Sequence, residues 1–211
     1  MPRNGLNWRG TDELSYDPNL SEKHNEIIEA AVKLFNSKGY LSTSIRDIAA
    51  AINLTQGTIY HYVKSKEDLL YEINDRLISR ALKNKKEILE APVSARDKIC
   101  RVIKDILAIV ELHADYIGVL IKDYTRLSKR NLNKIIRKRD EYEEMVEIII
   151  QEGIRNEELK NLDVKISTMA LFGICNWATT WYRPHGRLSI DEIAQVISSI
   201  YLEGMASPAN K

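Results

Sequence analysis

Between Gln56 and Tyr62 the chain sets five hydrogen-bonding side chains, Gln56, Thr58, Tyr60, His61 and Tyr62, around one apolar residue, Ile59. None of the five is acidic. On a short helix with Ile59 turned to a core, their amide, hydroxyl and imidazole groups would face outward together. That chemistry suits base edges and phosphates in a DNA major groove. No comparable grouping offers catalysis. Ser and His occur without a nucleophile motif, and there is neither an HExxH string nor a phosphate-binding glycine loop. His24, His61, His113 and His185 fall one per segment, so no metal ligands are assigned. His113 is expected at a helix end or on the surface.

The reading segment needs elements to hold it. Ile45, Ile48, Ala49 and Ile52 recur at spacings of three and four, which predicts a short helix before it. Asn53-Leu54-Thr55 forms the break: Asn tolerates a left-handed backbone, and Thr55 can cap the second helix. The pair is a helix-turn-helix. A bracing helix starts near Ser21, buries Ile27, Ile28, Ala31, Val32, Leu34 and Phe35, and stops at Gly39. Tyr40 is expected to pack. Ser65 opens a longer helix with Leu69, Leu70, Ile73, Leu77 and Ile78 inward and an acid three residues after the cap. That helix links the reading head to the rest of the chain.

The formal net charge is +1, so any nucleic-acid affinity must come from a local patch. Cys100 and Cys175 match no metal or redox spacing and read as buried thiols. No secretory signal and no membrane-length apolar run is visible, so a cytoplasmic location is expected. Residues 1–20 read as a flexible arm with Arg3 and Arg9, residues 21–66 as the helix-turn-helix domain, residues 67–206 as a larger helical domain and residues 207–211 as a tail. The fold class is therefore all-α, with about nine helices.

Within the larger domain, residues 83–94 are charged and broken at Pro92. Helices are expected from Ala95 to His113, over 115–129, from Glu141 to Glu152, after Asp163 and after Ser189. The basic stretch Lys129–Arg139 is either a solvated loop and helix face or an attractor for the phosphates of an anionic ligand. The last two helices carry surplus apolar surface, which marks a dimerisation element. Its candidates are Ile174, Ile193, Val196, Ile197, Ile200 and Tyr201.

The strings IIEAAVKLFNSKGYLSTSIRDIA and TQGTIYHYVKSKEDLL, within residues 25–73, resemble the tetracycline-repressor-like (TetR/AcrR) family of bacterial transcriptional regulators. One departure is Asn53, where many members have Gly. The resemblance implies a homodimer on an inverted-repeat operator in double-stranded DNA. It implies DNA contacts from Thr43, Ser44, Arg46, Thr55, Gln56, Gly57, Thr58, Tyr60, His61, Tyr62 and Lys66. Gln56, Thr58 and His61 would meet base edges, whereas Thr43, Tyr60, Tyr62 and Lys66 would meet phosphates.

A second string, GICNWATTWYRPHGRLS, resembles the corresponding helix and turn of members that regulate fatty-acid or steroid catabolism and respond to acyl-coenzyme A thioesters. This implies no cofactor but a lipid-like effector, a long-chain acyl-coenzyme A, that releases the repressor from DNA. Its candidate contacts are Ile103, Leu107, Leu120, Tyr124, Met145, Ile149, Phe172, Asn176, Trp177, Trp181 and Arg183. The alternative is a multidrug-responsive repressor of an efflux pump, since cations also sit over aromatic faces.

Overall fold

The computed structural model describes residues 20–205. Among them the regular structure is helical throughout, in agreement with the expected all-α class: α1 (Glu22–Lys38), α2 (Ile45–Ala51), α3 (Gln56–Tyr60), α4 (Lys66–Leu82), α5 (Lys85–Glu90), α6 (Ala95–Asp123), a 3-10 turn (Tyr124–Arg126), α7 (Lys129–Arg155), α8 (Val164–Trp181) and α9 (Ile190–Met205). Nearly all of the expected arm and all of the expected tail lie outside the described residues.

Short-range chemistry starts most of these helices. Ser21 accepts from His24 N, Thr55 from Thr58 N, Ser65 from Asp68 N and Asp163 from Ile166 N. Ser44 and Asp47 satisfy each other's backbone amides in a reciprocal box, and Ser189 and Glu192 do the same before α9. The hydrogen bonds from Ser44 hold the Asp47 carboxyl below its ordinary range. At Ser65 the box is open, because Asp68 accepts from Lys64 N instead of Ser65 N.

Asn53 has φ 54°, the left-handed conformation its type allows. Asn53→Ala should lower stability by about 1–2 kcal/mol, because alanine lacks the local compensation open to Asn in that region. Asn53→Gly should be neutral or slightly stabilising. Thermal unfolding of the two variants measures the difference.

The reading head packs α1, α2 and α3 around Phe35, Ile48 and Ile59, all without solvent exposure, and α4 adds Leu69 and Leu70 from the other side. Phe35 and Tyr40 meet edge to face at 5.1 Å, so Tyr40 packs as expected. α6 is the hub of the larger part and touches α1, α4, α5, α7, α8 and α9. That explains its wide apolar side.

Three expectations about the larger part need correction. α6 does not end at His113. It bends there (φ −136°, ψ 34°) and runs on to Asp123, because the apolar stripe continues through Tyr116, Ile117 and Val119. The helix expected over 115–129 is thus the second half of α6, ending in the 3-10 turn. His113 itself is buried at the bend and stacks edge to face on Tyr116 at 6.0 Å. Finally, α7 starts at Lys129, not near Glu141. Ser128 caps it, and Leu132 and Ile135 extend the buried side already supplied by Tyr142 and Met145. The charged 83–94 stretch contributes the short α5.

Candidate nucleic-acid interface and interior cavity

α3 presents Gln56, Gly57, Tyr60 and His61 to solvent, while Ile59 anchors it from beneath. Tyr60 is 53% exposed. Ser44 and Arg46 at the start of α2 are exposed on the neighbouring surface, and so is Thr55. Thr58 has a more internal task than expected: its hydroxyl pairs with that of Thr55 at 2.9 Å and so completes the α3 cap. Tyr62 is half-buried and meets the His24 ring edge on at 5.8 Å. His24 Nε2 lies 2.9 Å from Glu72, which also accepts from Arg76, so α1, α4 and the end of the reading helix are tied together.

Two expected phosphate ligands are engaged inside the protein. Thr43 is 1% exposed, and its hydroxyl donates to the carbonyls of Gly39 and Leu34. Lys66 donates at 2.7 Å to Tyr40 O and at 2.7 Å to Thr43 O, and its ammonium lies 4.2 Å from the centre of the Tyr40 ring. Burial lowers the Lys66 pKa. No single-sequence signal separates such a lysine from one that faces solvent.

Behind the head, an open-mouthed cavity of about 340 Å³ lies between α4, α6, α7 and α8. Leu77, Ile78 and Ala81 form its α4 wall. Ile106, Ile109, Ile117 and Leu120 line it on both sides of the α6 bend, and Tyr142 with Met169 and Phe172 closes the far side. The Tyr142 and Phe172 rings are 5.5 Å apart. Polar groups also border it: Arg139, Glu143 and Asn176. Lys165 pairs with Glu143 at 2.7 Å, and the Arg139 guanidinium stands 5.2 Å over the Tyr124 ring.

Of the expected effector contacts, Leu120, Phe172 and Asn176 border this cavity. Ile103, Leu107, Met145 and Ile149 do not; they are buried in the helix core at 0–1% exposure. Tyr124 does not line the cavity either, and its ring lies 5.2 Å from the Arg139 guanidinium. Trp177 stands on the outer face of α8, 66% exposed, and Trp181 and Arg183 line a separate groove at the α8–α9 turn with Val196 and Ile200. The Arg183 guanidinium donates to Tyr182 O at 2.8 Å. The groups missed were mostly aliphatic residues indistinguishable in sequence from their core neighbours. Arg139 was visible only as part of the basic stretch.

Lys129, Arg130, Lys134 and Arg137 of that stretch are exposed on the face of α7, and part of it forms a seam. Lys138 pairs with Asp75 at 2.6 Å and donates to Ser79, and Lys134 lies over the Tyr71 ring at 5.2 Å, so α7 is stitched to α4. Among the expected dimer residues, Ile174, Val196 and Ile200 are exposed, whereas Ile193, Ile197 and Tyr201 are buried within the subunit. Tyr201 donates to Ser167 O at 2.9 Å, which joins α9 to α8. Cys175 is fully buried, and burial pushes its thiol up to about 12; Cys100 is only partly covered. Among the described residues, no three His, Cys, Asp or Glu side chains converge on a possible metal position, and no helix is long and apolar enough to cross a membrane.

A short helix-turn-helix ahead of a helical body with its own cavity is the arrangement of a ligand-gated DNA-binding protein. Residues 27–73 match the profile of bacterial regulatory proteins of the tetR family, and residues 92–205 match that of the tetracyclin repressor-like C-terminal domain. The chain belongs to the TetR family. The KstR2 transcriptional repressor of Rhodococcus jostii is 26% identical over 90% of this chain and 94% of its own length. The fatty acid metabolism regulator protein of Bacillus subtilis is 26% identical over 87% of this chain and 95% of its own length. The fold is also similar to that of AibR, solved with isovaleryl coenzyme A and operator DNA, at a TM-score of 0.76 and 20% identity over 85% of this chain and 97% of that one. As a TetR-family member the chain is a ligand-responsive, homodimeric DNA-binding repressor and not an enzyme; a fatty acid metabolism regulator and a ketosteroid transcriptional regulator are among the proteins it is similar to.

Proposed function

We propose that this repressor is released from an inverted-repeat operator by an acyl-coenzyme A whose acyl group enters the α4–α6–α7–α8 cavity. The observation that carries this reading is the makeup of that cavity: aliphatic and aromatic walls with Arg139 and Asn176 at their edge. An apolar body with a polar, anionic extension suits such a site. Lys165 pairs with both Glu143 and Glu147, so the cavity edge carries acids beside the Arg139 charge that would meet the extension. Two of the proteins this chain is similar to, a fatty acid metabolism regulator and a protein solved with isovaleryl coenzyme A, support the same class. At about 340 Å³ the cavity is near the small end of ligand sites, which span roughly 300–1,000 Å³. A compact or medium-length acyl group therefore fits better than the long chain implied by the sequence resemblance.

On the DNA side, Gln56 and His61 are assigned to base edges, and Ser44, Arg46 and Tyr60 to the backbone, since all five are exposed on one end of the molecule. The exposed row Ile166, Ala170, Ile174, Trp177 and Trp181 on α8, with Val196 and Ile200 on α9, is assigned to the dimer contact. Two reading heads related by that contact would meet major grooves about 34–36 Å apart, or a multiple of that spacing.

The alternative, a repressor of an efflux pump that answers cationic compounds, draws on Glu143 at the cavity edge. Thermal unfolding with isovaleryl-, octanoyl- and palmitoyl-coenzyme A, free coenzyme A, octanoate and cationic dyes separates the two. Octanoyl-coenzyme A should raise the unfolding temperature more than free coenzyme A or octanoate. Stabilisation by dyes alone would support the alternative.

A further inference from the structure

The cavity between α4, α6, α7 and α8 has an outer and an inner zone. Arg139, Glu143 and Asn176 on its border are half-buried or exposed, so they stand at the mouth. The inner wall is made of buried residues: Leu77 and Ile78 of α4, Ile106, Ile109 and Ile117 of α6, and Tyr142 of α7. Within that wall Tyr142 alone carries a polar side-chain atom.

Packing accounts for the Tyr142 ring and not for its hydroxyl. The ring lies 5.5 Å from that of Phe172, across the α7–α8 seam. The residue is 9% exposed, yet its hydroxyl has no hydrogen-bond partner among the described residues. Other buried tyrosines of the larger part are bonded. Tyr116 donates to Glu29, Tyr182 to Glu111 at 2.7 Å and Tyr201 to Ser167 O at 2.9 Å. Burial, together with the Asp105 carboxyl and the Cys175 thiol nearby, pushes the Tyr142 phenol above its ordinary range. The group therefore stays protonated and serves as a donor.

We propose that Tyr142 reads an oxygen on the acyl group: the effector carries a carbonyl or hydroxyl beyond its thioester, and the Tyr142 hydroxyl donates to it at the inner wall. The proposal rests on the acyl-coenzyme A reading and narrows the ligand class from a plain alkyl chain to an oxo- or hydroxyacyl group. An alkyl chain set against a buried donor leaves that donor unpaired, which costs affinity. A ligand oxygen supplies the bond, and a site built for an oxygen rejects the analogue that lacks it. The aliphatic residues around Tyr142 offer no second polar partner, so one oxygen is expected at this depth. The polar groups at the mouth are left for the thioester and the coenzyme.

The competing role for Tyr142 is packing alone. Phenylalanine would then serve equally well, and an oxygen on the ligand would bring no gain.

Calorimetry on the full-length dimer compares octanoyl-coenzyme A with a series of oxo-octanoyl-coenzyme A isomers, the added carbonyl moved along the chain, and with the matching hydroxy compounds. The best-placed isomer should bind wild type about 10-fold more tightly than octanoyl-coenzyme A, the size expected for one hydrogen bond made against one donor left unpaired. In Tyr142→Phe that advantage should vanish, and octanoyl-coenzyme A should bind at least as tightly as to wild type. Without ligand, Tyr142→Phe should unfold at no lower a temperature than wild type, because no bond within the protein is lost. Equal affinity of wild type for octanoyl-coenzyme A and every oxygenated compound would overturn the proposal and leave the acyl-coenzyme A reading standing. An advantage that persists in Tyr142→Phe would also overturn it. So would a clear fall in the unfolding temperature of the free variant, which would give the hydroxyl a partner inside the protein. Failure of every thioester to bind would sink the acyl-coenzyme A reading itself, and this proposal with it.

Discussion

Trp177→Asp should convert the protein to a monomer and weaken operator binding by at least about 100-fold, the scale of avidity lost when two linked sites are separated. Trp177 is 66% exposed in the subunit, and Ile174 and Trp181 flank it along the same side of α8. Such an apolar row on a free surface is unusual unless a partner covers it. A central tryptophan in an interface typically contributes at least about 2 kcal/mol. Two-fold symmetry applies the loss twice, about 4 kcal/mol, or about a 1,000-fold weaker dimer. Aspartate adds a buried charge on each side to that loss. Light scattering on the variant reads the assembly, and operator titration reads the consequence. A stable Trp177→Asp dimer would move the interface elsewhere.

The second large effect is expected at Gly173. It borders the cavity, and a Cβ built there would meet no atom within 4 Å. Gly173→Phe therefore places a ring in open space without a backbone clash. It also replaces a helix-interior glycine, a change that tends to favour the helix by a few tenths to about 1 kcal/mol. The variant should stay folded, and because Gly173 is exposed beside Ala170 and Trp177 of the proposed dimer row, light scattering and operator titration first establish that assembly and DNA binding persist. The variant should lose the thermal stabilisation by octanoyl-coenzyme A and remain on the operator when that compound is added. A Gly173→Phe protein that still responds fully would exclude this cavity as the acyl site.

Local chemistry made the fold readable. The caps at Ser21, Ser44, Thr55, Ser65, Asp163 and Ser189 each act within about one helical turn, and Asn53 takes the backbone conformation its side chain permits. What failed was set by distant partners. The basic residues after Lys129 read as a solvated loop and helix face or a phosphate attractor because the groups that pair with Lys134 and Lys138 lie on α4, about 60 positions earlier. His113 looked like a helix end because a bend and a terminus both break periodicity. Among the described residues the helix count agrees with the expectation although its partition differs: the expected 115–129 helix merged into α6, and α5 emerged from a charged stretch.

The site was less legible than the fold. Ile103 and Leu107 enter the core while Ile106 and Ile109 border the cavity, yet all four belong to one broad stripe on α6. Only the angle at which α7 and α8 cross that stripe distinguishes them. Trp177 and Trp181 were placed in the effector site by the resemblance of the string that holds them, and aromatic residues suit both ligands and interfaces. Exposure separates those uses, and exposure depends on packing. For Lys66 the place in the motif suggested a phosphate; the two carbonyls that it also holds, from the turn before α2, were not legible, and they leave its charge and a third N–H for that contact.

The central claim is that filling the cavity disfavours the DNA-bound form. The direct test is operator affinity at fixed salt, with and without saturating octanoyl-coenzyme A, using free coenzyme A as the control. A ligand that prefers the DNA-incompetent form about 100-fold shifts the balance by about 2.7 kcal/mol. Operator affinity should then fall by up to that factor with octanoyl-coenzyme A and stay unchanged with free coenzyme A. Equal affinities, with binding of octanoyl-coenzyme A shown independently by calorimetry, would contradict the account, and tighter operator binding would make the compound a corepressor.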